Sequence, residues 1–70
     1  MREGFRAVVQ HRGDWWIGWI AEVPGVNAQE GTREELLTSL ASALEEALEM
    51  NREDARSSAV GPFEEVLLQV

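Results

Sequence analysis

Apolar and polar residues alternate with a period of two through most of the first thirty positions, then change to a helical period. Phe5 to Gln10 reads as a first strand, with Phe5, Ala7 and Val9 on one face and Arg6, Val8 and Gln10 on the other. The polar run His11-Arg12-Gly13-Asp14 supplies a hairpin turn. Trp15 to Val23 is the second strand, rich in aromatic and β-branched residues. Its odd face (Trp15, Ile17, Trp19, Ala21, Val23) is wholly apolar, whereas its even face mixes Trp16, Gly18, Ile20 and Glu22. The odd face is therefore expected to point into the core. Pro24-Gly25 ends the strand, because proline offers no ladder donor and glycine tolerates positive φ. Val26 to Glu30 alternates again as a short third strand, and Gly31 frees the chain to turn.

Thr32 is placed as a helix N-cap, with Glu35 three residues on to complete a capping box. Glu34 and Glu35 also suit the positive end of the helix dipole. Leu36, Leu37, Leu40, Leu44, Ala47 and Leu48 form one apolar stripe, with Thr38, Ser42, Glu45, Glu46 and Glu49 facing water. The helix is expected to end between Asn51 and Ala55, with Ser57-Ser58 and Gly61-Pro62 as the exit loop. Phe63 to Val70 then reads as a last strand, Val66, Leu68 and Val70 sharing a face. The expected architecture is α+β in the order β-β-β-α-β: one domain over residues 1–70, an antiparallel sheet with one helix packed on one face. A single helix covers a single face. The opposite face is expected to carry Val8, Trp16 and Ile20, and an exposed apolar patch of that kind marks an interface. Together with Val66, Leu68 and Val70 of the last strand, these are the candidate interface residues.

Seventy residues give a marginal core that usually needs disulfides, a metal or a partner subunit. Cysteine is absent and histidine occurs once, which leaves self-association as a dimer or tetramer. The net charge of −7 repels a phosphate backbone, so direct nucleic-acid binding is not expected. It favours a basic protein partner instead. No apolar run is long enough to cross a bilayer, and Met-Arg-Glu-Gly-Phe lacks the apolar core of a secretion signal. A cytoplasmic location is the expectation.

Candidate chemistry is sparse. His11 and Asp14 suggest a general-base pair, but a histidine in a polar turn reads as a turn residue, and no serine or cysteine nucleophile is placed to use it. Glu45, Glu46, Glu49, Glu53 and Asp54 read as a solvated helix face rather than a metal cluster. The three tryptophans lack the basic surroundings of a base-stacking platform. No catalytic residue, cofactor or metal is expected.

Trp19, Ala21-Glu22-Val23-Pro24, Gly25, Gly31-Thr32 and Glu34-Glu35, followed by the leucine and alanine stripe to Leu48, form an ordered set. In that order and spacing, over roughly residues 5 to 50, the chain resembles the N-terminal domain of HicB-family antitoxins. The resemblance implies a protein that binds a HicA toxin, a small basic ribonuclease related to double-stranded-RNA-binding folds, and covers its active site. Most members also carry a C-terminal DNA-binding segment. The sequence ends at Val70, so operator binding is not carried over. Val23-Pro24-Gly25-Val26 also stands where many members have proline, two residues, then proline-glycine. The expected function is neutralisation of a HicA-like toxin by protein–protein binding. The alternative is an orphan, self-associating interaction module with no toxin partner.

Overall fold

The computed structural model describes residues 4–68. Strands β1 (Ala7–Arg12), β2 (Trp15–Ile20) and β3 (Asn27–Glu30) form an antiparallel sheet in the order β1-β2-β3, followed by one helix, α1 (Arg33–Ser57). The first hairpin is tighter than the sequence suggests. Arg12 pairs with Trp15, leaving only Gly13 and Asp14 in the loop, so His11 belongs to the strand. Gly13 adopts φ 61 and Asp14 does not have positive φ, the pattern of a type II′ turn, whose twist matches that of paired strands.

β2 ends at Ile20 rather than Val23, because the backbone there is drawn into a compact connection. Ile20 N donates to Val26 O at 3.1 Å, and Ala21 N donates to Arg6 O at 2.9 Å. Glu22 fastens this corner by accepting from Arg6 N at 2.9 Å. The Ala-Glu-Val-Pro run thus owes its glutamate to a backbone donor at the start of β1.

The helix begins where the capping residues put it. Thr32 Oγ1 accepts from Glu35 N at 3.1 Å, satisfying one orphan donor of the first turn. It runs on to Ser57, beyond the expected end, with Arg56 favourably in the last turn. A 25-residue helix is about 37 Å long, against about 20 Å for a six-residue strand, so its end overhangs the sheet. The extents of 51 × 25 × 15 Å follow: a slab one sheet and one helix thick. Its radius of gyration of 15.4 Å exceeds the roughly 11 Å of a compact chain of this length.

The core is small. Ile20, Val26, Leu36 and Leu40 are buried, with Val9, Trp16, Val23, Ala28 and the inner helix positions Ala43, Leu44 and Ala47 packed around them. This corrects the expected orientation of β2. The helix covers the even face, Trp16, Gly18 and Ile20, while Trp15 and Trp19 remain 50% and 42% exposed on the other side. Gly18 is the physical reason. A Cβ built there would lie 2.9 Å from Val8 O, 3.1 Å from Leu40 Cδ1 and 3.2 Å from Leu36 Cδ2. The missing side chain leaves a hollow between Trp16 and Ile20 that the two leucines fill. The odd face is richer in apolar groups but offers no such recess.

The expected last strand is absent among the described residues. Residues 63–68 join neither sheet nor helix and are exposed throughout. Gly61, at φ 83, and Pro62 turn the chain at the helix end, where Arg56 Nε donates to Glu65 Oε2 at 2.7 Å.

Candidate functional site

Residues directly opposite in an antiparallel ladder share a face. Val8 pairs with Trp19, Gln10 with Ile17 and Arg12 with Trp15; on the far side of β2, Ile17 pairs with Gln29 and Trp19 with Asn27. These residues make up the uncovered face. Its centre is apolar: Val8, 40% exposed, lies opposite Trp19, with Ile17 half-buried between Trp19 and Trp15. Arg12 is the sole charged strand residue on that side, and its Nη2 donates to Gln10 Oε1 at 3.2 Å. In a chain of net charge −7, a nearly uncharged face is a marked asymmetry.

The acids lie elsewhere. Glu45, Glu46, Glu49, Glu53 and Asp54 are exposed along α1, Arg52 pairing with Glu49 at 3.1 Å. Glu30, on the helix side of β3, accepts from Ser39 Oγ at 2.6 Å and ties sheet to helix. No three His, Asp or Glu residues converge in metal-binding geometry among the described residues. Arg52, Ala55, Arg56, Phe63 and Val66 line a shallow cleft at the helix end. Both of its arginines already pair with carboxylates, so it offers no free cation to an anionic ligand. Glu65 holds the Arg56 guanidinium above its ordinary pKa, first through the hydrogen bond and then through charge.

The expected interface residues divide in three. Val8 stands on the open face. Trp16 and Ile20 do not: Ile20 is 6% exposed in the core, and Trp16 packs beside it on the helix side. Val66 and Leu68 are exposed, at 64% and 80%, but in a segment after the helix that belongs to no strand. Val70 lies outside the described residues. The side chains missed are Trp15, Ile17 and Trp19, and the signal for them was Gly18. A glycine inside a strand marks close approach by a neighbouring element, which assigns its own face to the interior.

His11 is engaged in packing. Its ring lies against Trp16 with centroids 4.6 Å apart and planes 5° from parallel. Among the described residues, no helix is long and apolar enough to cross a membrane. Compared with models of known protein families, with curated proteins and with solved structures, the chain matches none.

Proposed function

We propose that this chain is a cytoplasmic HicB-like antitoxin domain that neutralises a small basic ribonuclease of the HicA kind by protein–protein binding. The observation that carries the reading is the uncovered face of Val8, Trp15, Ile17 and Trp19 in a strongly acidic molecule. Exposed tryptophans on a rigid strand are efficient contact residues, burying a large area at little cost in side-chain entropy. The net negative charge would draw a basic partner in from a distance, and the apolar face would hold it. Asp14, just before β2, and Glu22, just after it and paired with Arg6, are exposed acids at its two ends. Inhibition would be by occlusion, with no bond made or broken.

The test is a ribonuclease assay with a purified basic HicA-like protein encoded beside this gene. Wild-type chain is expected to suppress cleavage at near-stoichiometric ratios, more weakly as salt rises. The Trp15→Ser/Trp19→Ser double variant, with unchanged circular dichroism, is expected to lose at least tenfold in inhibition. Full inhibition by that variant, or none by the wild type, would overturn the proposal. A self-associating module without a toxin draws on a different feature, the unpaired C-terminal segment.

A further inference from the structure

Phe63-Glu64-Glu65-Val66-Leu67-Leu68 has the composition of a strand and no sheet to belong to. Phe63, Val66, Leu67 and Leu68 are 57%, 64%, 85% and 80% exposed. Besides bordering the shallow cleft at the helix end, the segment is tied to the helix by the Arg56–Glu65 pair between side chains 45% and 58% exposed, a kind of contact that holds weakly in water. Among the described residues, meanwhile, the strands at both margins of the sheet are unpaired on their outer sides. Segment and margin lack the same thing.

The two margins are not equivalent. β3 is four residues long and carries Glu30, which would repel Glu64 and Glu65. β1 is six residues long, has no acid and ends in Arg12. Its free backbone groups can also be assigned. Arg6 O bonds Ala21 N, and hydrogen-bonded pairs recur every second residue along the register. Val8, Gln10 and Arg12 therefore spend their backbone groups on β2, while those of Ala7, Val9 and His11 point outward.

We propose that residues 63–68 are a strand donated to the β1 margin of a second copy of this chain, antiparallel, with Glu64 opposite Arg12, Val66 opposite Gln10 and Leu68 opposite Val8. In this register Glu65 and Leu67 meet the outward backbone groups of His11 and Val9. Leu68 extends the apolar strip of Val8 and Trp19, Leu67 lies beside Val9 towards the helix, and Glu64 neutralises Arg12. Donation to another copy rather than to its own sheet follows from where the segment starts. Inner helix contacts with the sheet end at Ala47, and residues 49–57, all exposed, carry the chain past the sheet before the tail begins. An interior with four buried side chains among the described residues also gains from the added burial. A reciprocal exchange closes as a two-fold dimer, which takes up both donated strands.

The chain has no cysteine, so an introduced pair reads cleanly. Gln10 and Val66 would form a non-hydrogen-bonded pair, whose Cα separation of about 4.5 Å suits a disulfide. Full-length Gln10→Cys and Val66→Cys single variants, mixed and oxidised, are expected to give a covalent heterodimer at several times the yield of either variant alone. Light scattering is expected to give the wild type twice the mass of one chain. Leu67→Pro, which removes a ladder donor from a segment that packs against no core residue, is expected to be monomeric with unchanged helical signal. An internal disulfide in the Gln10→Cys/Val66→Cys double variant would place the strand on its own sheet and overturn the proposal. So would a monomeric wild type or a dimeric Leu67→Pro. None of these readings involves a toxin, so they stand or fall apart from the tryptophan face.

Discussion

The two faces of β2 are built from similar residues and have opposite fates. One presents Trp16, Gly18 and Ile20 and is covered; the other presents Trp15, Ile17 and Trp19 and is not. Counting apolar groups favours the second as the interior. What decides is shape: Leu36 and Leu40 occupy the space a side chain at Gly18 would need, and the other face of β2 contains no glycine. Burial follows from fit as much as from hydrophobicity, and the richer face becomes the one available to other molecules.

The largest expected effect breaks the covered face. Leu40 is 1% exposed, so Leu40→Ala should cost about 3 kcal/mol through lost transfer energy and a residual cavity. A domain of this size has roughly 4 to 10 kcal/mol in total, so urea denaturation should show a midpoint lowered by a third or more. A normal midpoint would mean the leucines do not seat as described. Gly18→Ala comes next. Its methyl would stand 2.9 Å from a carbonyl oxygen that cannot swing aside, and about 2 kcal/mol of overpacking is expected in the same assay. An unperturbed Gly18→Ala chain would remove the reason given for the choice of face. The smallest stability effect belongs to the open side. Trp19→Thr removes a cross-strand contact with Val8 worth about 0.5 kcal/mol and keeps a strand-favouring residue, so its thermal midpoint should move by only a few degrees.

Local chemistry was legible in the sequence wherever one residue type has one use. Gly13 and Gly25 marked turns that need positive φ, and Thr32 marked the helix start by its hydroxyl. The leucine stripe from Leu36 to Leu48 gave the buried side of α1. The uncovered face was legible as a consequence of having one helix, and Val8 was placed on it. Its tryptophans were not, because alternation says which residues lie together without saying which group faces inward. The C-terminal segment failed for another reason. Alternation can show that Phe63 to Leu68 would make a strand, but not which margin it would pair with; the segment lies at the helix end beside Arg52 and Arg56 and joins no strand.

The 15 Å thickness of the slab has a consequence for how the molecule breathes. In so thin a slab, amide exchange is governed by hydrogen bonding under the few well-packed groups rather than by depth. The slowest amides should cluster in β2, flanked by partners on both sides, and in the turns around Leu36 and Leu40. Deuterium should enter the overhanging helix end from Asn51 to Ser57 far sooner, at a rate set by fraying.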